Sequence, residues 1–131
     1  MHKTAIYSAA VCCMLLFTIA LSHAEGDIER REIRLIFTGN TVEGKIIKRD
    51  TGFKMYLHPS GKLVRVADAG EPEKGVWHIS DNNALCLNLE SEACYTINKR
   101  DDDIIDLYNQ KGELAFIVNK VALGNPEKLK P

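Results

Sequence analysis

The chain has 131 residues, with 17 basic and 18 acidic side chains and a formal net charge of −1. This length suits one domain with a single modest core. Charges of both signs are mixed along the chain, which argues against nucleic-acid binding, because that function requires a basic face.

The first 24 residues have the pattern of a secretory signal peptide. Lys3 provides a short positive start, residues 5–21 form an almost unbroken apolar run, and Ser22-His23-Ala24 places small residues where a signal peptidase reads. We predict cleavage after Ala24, which makes the protein periplasmic or secreted, with no stable membrane anchor once it is cleaved. The alternative is an uncleaved anchor, because the apolar run approaches the ~17 to 25 residues that span a bilayer.

Residues 25–38 are predicted to form a helix. Asp27 is a suitable N-cap, and Gly39 and Asn40 would end the helix in the left-handed conformation. The apolar residues that share one helical face are Ile33, Ile36 and Phe37. A strand is the rival interpretation, because apolar residues also alternate between Ile33 and Phe37.

From residue 41 onward, short strand patterns recur about every ten residues, the spacing expected of an all-β fold. The predicted strands are 41–48, 53–58, 62–67, 75–80, 84–89, 93–99, 104–108 and 114–123. Four of the turns between them end in a residue suited to the left-handed conformation, namely Gly52, Gly61, Asn83 and Gly112. Successive hairpins without a helical crossover predict an antiparallel meander.

The predicted fold class is therefore all-β with one N-terminal helix. Eight strands in this order favour a small, calycin-like up-and-down barrel in residues 25–123, because closure removes the exposed edges. An open curled sheet packed on the helix is the second possibility. Residues 124–131 have no periodicity and are predicted to be a flexible tail.

Alternation within the strands predicts which side chains point inward. These are Val42, Gly44, Ile46, Phe53, Met55, Leu57, Trp77, Ile79, Leu85, Leu87, Leu89, Tyr95, Ile97, Leu114, Phe116 and Val118. Together they would fill a small barrel, so we expect a packed core rather than a ligand chamber.

Cys86 and Cys94 are the cysteines that remain after the predicted cleavage, and the exported compartment is oxidising. They lie on either side of a turn centred near Glu90, so we predict a disulfide across a hairpin. The alternative is two buried free thiols. A zinc site is disfavoured, because two thiolates without a nearby histidine pair do not supply four ligands.

Four motifs follow one another in a recognisable order. They are GNTVEG at 39–44, YLHPSG at 56–61, GVW at 75–77, and LC at 85–86 followed by CY at 94–95. Their order resembles that of small exported bacterial proteins of domain-of-unknown-function family 995, over most of residues 33–97. The resemblance implies a secreted or periplasmic β-rich domain of a Gram-negative bacterium, and it implies no activity.

The sequence contains no recognisable catalytic set. His58 opens a proline turn, and His78 is expected on the outer side of its strand. Ser60, Ser80 and Ser91 lack the G-x-S-x-G frame of a hydrolase nucleophile. We therefore predict a protein that is not an enzyme and that has no catalytic residues, metal site or cofactor.

Two features are candidates for binding. Trp77 and Tyr95 are predicted either to plug the core or to stack on a ligand. The hairpin tip, defined as Glu90, Ser91 and Glu92, is predicted to contact a partner, because the disulfide would hold it stiffly. The alternative is that the disulfide only protects the fold.

The leading functional hypothesis is an exported module that binds an unknown protein or envelope component. One alternative is a calycin-like carrier of a small apolar ligand. Another is a lysozyme inhibitor, a class that also consists of small eight-stranded barrels. Ser60-Gly61-Lys62 is similar to the blocking loop of that class, although Val64-Arg65 replaces the tyrosine expected after it.

Overall fold

The structure is a computed structural model that describes residues 26–100 and 103–131. The predicted signal peptide, residues 1–24, lies outside the described residues, and its cleavage stays a prediction. In the part of the chain that is described, no helix has the length and apolar character needed to cross a bilayer.

One short helix and nine strands make up the fold of the described residues, 26–100 and 103–131. In chain order they are β1 Gly26–Asp27, α1 Arg30–Phe37, β2 Thr41–Ile46, β3 Thr51–Leu57, β4 Lys62–Ala67, β5 Glu73–Ile79, β6 Ala84–Asn88, β7 Glu92–Lys99, β8 Ile105–Tyr108 and β9 Leu114–Ala122. The eight strands predicted from residue 41 onward are confirmed, with ends that differ by at most two residues.

Strands β2 to β9 form a closed antiparallel barrel. Each strand pairs with the next one along the chain, and β9 pairs with β2, which joins the two ends of the meander. The structure thus confirms the barrel rather than the open curled sheet. Closure leaves none of the eight strands with a fully unpaired edge.

The two ends of the barrel differ. The side chains of Ile33 and Phe37 on α1 are fully buried in the core, and Arg30 reaches the β5–β6 turn by donating to the carbonyl of Ser80 at 3.0 Å. The helix therefore packs across the end where β2 begins, which we call the helix end. The opposite end, which we call the open end, carries the turns 47–50, 68–72, 89–91 and 109–113.

Apolar side chains from all eight strands fill the barrel interior. Those that are no more than 3% exposed are Val42, Phe53, Met55, Leu57, Leu63, Leu85, Leu87, Ile97, Ile105, Leu107 and Val118, and Trp77 and Ile79 of β5 are also buried. A close-packed interior of this kind leaves the centre of the barrel occupied by the protein's own side chains. The predicted packed core is confirmed.

The helix begins later than predicted, and Asp27 is not its N-cap. Gly26 and Asp27 instead form β1, which pairs antiparallel with the end of β7. Glu29 is extended, with φ −80° and ψ 157°, and the helix starts only at Arg30. Pairing with a strand seventy residues away overrides the local capping preference, which is a weak determinant by comparison. The helix ends at Phe37, one residue earlier than predicted, and Gly39 is left-handed as expected, with φ +76°, whereas Asn40 is not.

The β2–β3 turn is tighter than predicted. Thr51 and Gly52 already belong to β3, and the left-handed residue is Asp50, with φ 54°, rather than Gly52. The amide of Asp50 donates to the carbonyl of Ile47 at 3.2 Å, which closes a turn over residues 47–50. Aspartate tolerates this conformation because its short polar side chain can bond locally. The other predicted left-handed residues do have positive φ: Gly61, Asn83 and Gly112.

The C-terminal segment 124–131 contains no helix or strand but has specific contacts with the outside of the barrel. The hydroxyl of Thr41 donates to the carbonyl of Gly124 at 2.8 Å, and Lys54 forms an ion pair with Glu127 at 3.1 Å. Thr41 is completely buried although it precedes the inward-facing Val42. The segment thus lies beside β2 and β3, and its flexibility stays a prediction.

Candidate functional site at the open end

A cleft of about 1000 Å³ lies at the open end of the barrel. Three segments line it, namely residues 46–49 of the β2–β3 turn, residues 92–95 of β7, and residues 109–116 around the β8–β9 turn, apart from Gly112. This volume is at the upper end of the range of about 300 to 1000 Å³ that is usual for small-molecule sites.

The cleft exists because β8 is shorter than β7. The pairing of β7 with β6 extends to Glu92, opposite Asn88, whereas its pairing with β8 stops at Thr96, opposite Tyr108. Residues 92–95 therefore pair on one side only. The barrel wall is open between them and the start of β9.

Aromatic rings form the floor of the cleft. Tyr95 is half-buried and meets Phe116 edge-to-face, with ring centroids 5.1 Å apart and planes at 80°. Phe116 in turn meets the buried Phe53, with centroids 5.5 Å apart. Edge-to-face contacts add to the stabilisation by burial, so this floor is tied to the packed core below it.

Burial raises the pKa of Tyr95 above its ordinary value, and the positive charge of Arg65 opposes part of this effect. The folded state therefore favours the neutral phenol. The raised pKa of Tyr95 stabilises the folded protein below the unfolded pKa of about 10. This stabilisation is lost as pH rises through the higher pKa of the folded state.

We expect an ultraviolet titration of the folded protein to contain a phenol component that ionises later than a model tyrosine. Tyr95→Phe should remove this late component, whereas Tyr56→Phe, on the outer face of β3, should leave it. Persistence of the late component in Tyr95→Phe would show that the burial of Tyr95 does not cause it.

An ion pair between a buried arginine and a partly exposed glutamate lies beside the cleft. Arg65 points inward from β4, is 8% exposed, and pairs in register with Glu73 at the start of β5. Its Nε and Nη2 both donate to Oε2 of Glu73, at 2.9 and 2.5 Å. Nη2 of Arg49 lies 3.8 Å from the other carboxylate oxygen, and the Arg65 guanidinium lies 5.9 Å from the Phe116 centroid.

This ion pair was not predicted from the sequence. Alternation in residues 62–67 places Leu63, Arg65 and Ala67 on one face, and Leu63 is fully buried. An arginine in an inward row needs an acidic partner, and Glu73 is the acidic residue across the next strand pair. An arginine in an inward row and a glutamate across the next strand pair would together have predicted the ion pair.

The predicted disulfide is confirmed. Cys86 and Cys94 are directly opposite each other in the β6–β7 pair, and their sulfurs are bonded. Closing so short a loop stabilises the fold by about 2.5 kcal/mol on the chain-entropy model. The bond therefore restrains the hairpin locally.

The hairpin tip adjoins the cleft. Glu90, Ser91 and Glu92 are all exposed, and Glu92 also lines the cleft wall. A smaller cleft of about 180 Å³ lies between the tip and the ion pair, and Glu90, Ser91 and Arg65 are among its lining residues. The tip, both clefts and the ion pair thus form one continuous surface at the open end.

Trp77 does not line either of the two clefts at the open end. It sits toward the helix end of β5, is 9% exposed, and its indole N–H donates to the carbonyl of His58 at 2.9 Å. Two positions before it, Gly75 lets the chain approach closely, because a Cβ there would lie 2.0 Å from the carbonyl oxygen of Asn88. The structure therefore separates the two predicted aromatic candidates, and only Tyr95 borders the cleft.

The two histidines lie apart. Nδ1 of His58 accepts a hydrogen bond from the amide of Ser60 at 3.0 Å within its own turn, whereas His78 is exposed, with Nδ1 3.9 Å from a carboxylate oxygen of Glu92. Across residues 26–100 and 103–131, no group of three or more His, Cys, Asp or Glu residues is arranged to hold a metal ion. The Ser60-Gly61-Lys62 turn belongs to the helix end.

No family model matches the chain, and no curated protein or solved structure matches it either. The resemblance to domain-of-unknown-function family 995 stays an interpretation of the sequence motifs.

Proposed function

We propose that the protein is an exported, non-enzymatic binding module that contacts a protein or envelope component through the open end of its barrel. The observation that carries this proposal is the continuity of the cleft with the hairpin tip, since Glu92 belongs to both. Loops held on a rigid scaffold are where binding residues concentrate, and here the Cys86–Cys94 bond supports the loop.

The chemistry of the open end supports the same proposal. Tyr95 and Phe116 provide an aromatic floor, and Lys48, Arg49 and Lys111 provide a polar rim. An apolar centre with a polar, solvent-accessible rim is the usual anatomy of a protein interface, and aromatic residues and arginine are enriched there.

The test is chemical crosslinking of the exported protein to envelope proteins. We expect Glu90→Lys to lower the yield of partner crosslinks at least about tenfold, because reversing a rim charge opposes both encounter and docking. Glu29→Lys is the matched control, since it reverses an exposed glutamate at the helix end. Equal crosslinking of wild type, Glu90→Lys and Glu29→Lys would show that the hairpin tip is not the contact surface.

The second candidate function is transport of a small apolar ligand. The aromatic floor formed by Tyr95 and Phe116 in a cleft of about 1000 Å³ favours it specifically. Because the interior below is packed, such a ligand would lie in the cleft at the open end and not in the centre of the barrel.

A fluorescent hydrophobic dye tests this candidate. We expect the native protein to bind the dye, and Ala93→Trp, which fills the cleft from β7, to weaken binding about tenfold or more, because the apolar area open to the dye is lost. Ser60→Trp at the helix end is the control and should bind normally. A native protein that binds no dye and carries no ligand in native mass spectrometry would exclude the carrier function.

A further inference from the structure

The outer face of α1 is distinct from its buried face. Ile33 and Phe37 point into the core, whereas Leu35 between them is 72% exposed. Arg30, Arg31 and Arg34 line the same shallow depression as Leu35. A large apolar side chain next to three arginines is thus displayed at the helix end.

The charge of this face is positive. Arg31 and Arg34 are exposed, and among the described residues neither forms an ion pair. Arg30 lies 3.5 Å from the fully exposed Asp81. Other acidic residues at the helix end are Glu29, which is exposed beside the start of the helix, Glu32, which pairs with Lys99 at 3.2 Å, and Asp103, which is exposed in the β7–β8 turn.

A second exposed leucine lies next to α1. Leu123 is 83% exposed. The side-chain amide of Asn40 donates to the carbonyl of Leu35 at 3.3 Å and accepts from the amide of Gly124 at 3.1 Å, so residues 123–124 lie beside the last turn of α1. We call Arg30, Arg31, Arg34, Leu35 and Leu123 the basic-apolar patch.

The position of the patch in the chain favours a membrane as its occupant. The apolar run at the N-terminus ends at Leu21, and α1 begins at Arg30, nine residues later. Nine residues span at most about 30 Å when extended. Until the predicted cleavage, the helix end is therefore held close to the bilayer.

The chemistry of the patch also fits a bilayer surface. Arginines bind anionic headgroups, while leucines beside them insert into the acyl boundary. Five residues are fewer than the roughly 20 to 30 per side that a stable protein interface uses. A bilayer requires no such area, because a few inserted apolar side chains and neighbouring cations suffice for reversible binding.

We propose that the basic-apolar patch is a reversible membrane-surface site that takes anionic phospholipid headgroups. It holds the helix end against the bilayer and leaves the open end facing away from it. Binding is peripheral, since the patch inserts only the side chains of two exposed leucines.

The test is co-sedimentation of the exported protein with vesicles, after its mass confirms that the N-terminal apolar run is absent. The vesicles contain either phosphatidylcholine alone or a three-to-one mixture with phosphatidylglycerol. We expect binding to the anionic vesicles only, weakening as salt is added. Arg31→Glu and Arg34→Glu should each weaken it about fivefold or more, and Leu35→Ser and Leu123→Ser about tenfold together.

Lys74→Glu is the matched control, because Lys74 is an exposed cation at the open end of β5. The Lys74→Glu protein should bind anionic vesicles as the wild type does. Equal binding to both kinds of vesicle, no binding to either, or equal losses in Lys74→Glu and Arg34→Glu would overturn the proposal. Binding of soluble polyglutamate without binding of vesicles would assign the patch to an acidic protein instead, and would also overturn it.

Discussion

Gly44→Ala is expected to prevent the barrel from closing. A Cβ at Gly44 would lie 1.8 Å from the carbonyl oxygen of Ile117, 2.8 Å from its carbonyl carbon and 2.9 Å from Cα of Val118. All three are backbone atoms of β9, so rotation of a side chain cannot relieve the clash. Gly44 lies where the register of β2 and β9 shifts, because Glu43 pairs with Lys120 and Gly44 with Val118.

The extra residue in β9, Asn119, forms a β-bulge, and a bulge bends its strand and increases the local twist. This pair is the one that joins the first and last strands of the barrel, so a forced separation reopens the sheet. We expect a loss in the free energy of unfolding of more than about 3 kcal/mol, the upper end of ordinary overpacking.

Urea unfolding followed by near-ultraviolet circular dichroism measures this loss. Gly112→Ala is the matched control, since a Cβ there meets no atom within 4 Å and the cost is only that of a positive φ, about 1 to 2 kcal/mol. A Gly44→Ala protein as stable as Gly112→Ala would contradict the close approach of β2 and β9.

Glu73→Leu is expected to destabilise the protein by leaving Arg65 buried without a counter-charge. The side chain of Arg65 is 10% exposed and that of Glu73 is 34% exposed. Removing one partner of a fully buried pair costs about 3 to 5 kcal/mol, and water that reaches Glu73 lowers the expected loss to the bottom of that range, about 3 kcal/mol. Arg49 would add a second cation near the same position.

A double-mutant cycle tests this expectation. Arg65→Leu combined with Glu73→Leu removes both charges, and we expect it to recover most of the stability lost in Glu73→Leu, because an apolar pair needs no counter-charge. Urea midpoints of the four proteins provide the comparison. If the double variant loses as much free energy of unfolding as the two single variants added together, the ion pair with Arg65 does not explain the destabilisation by Glu73→Leu.

Local sequence patterns were sufficient to predict the strands. Apolar alternation placed the inward rows except at Leu114, which lies outside the core because the register of β8 and β9 shifts beside it and Ala115 packs against the core instead. Turn residues such as Gly61, Asn83 and Gly112 adopt the left-handed conformation that their types favour. The disulfide was predictable for the same reason, since Cys86 and Cys94 flank a short turn. In the β2–β3 turn the local rule failed, because both Asp50 and Gly52 can be left-handed and strand register chose Asp50.

The candidate site was predictable only in part. Glu92 and Tyr95 were identified from the hairpin and from alternation, and Phe116 as an inward residue. Arg65 and Glu73 were missed, because a charged residue within an apolar strand says nothing by itself about its distance from a partner. The cleft was not predictable, since it results from the different lengths over which β7 pairs with its two neighbours.

By itself, then, the sequence determined the repeating hairpins, the helix before them, the inward rows and the cysteine pair, all of which depend on residues within about ten positions of each other. The tertiary structure alone decided the pairing of Gly26–Asp27 with β7, the choice of the closed barrel over the open sheet, and the opening in the wall beside Tyr95. These features depend on backbone pairing between distant segments, and such pairing is selected by the packing of the whole barrel rather than by local propensity.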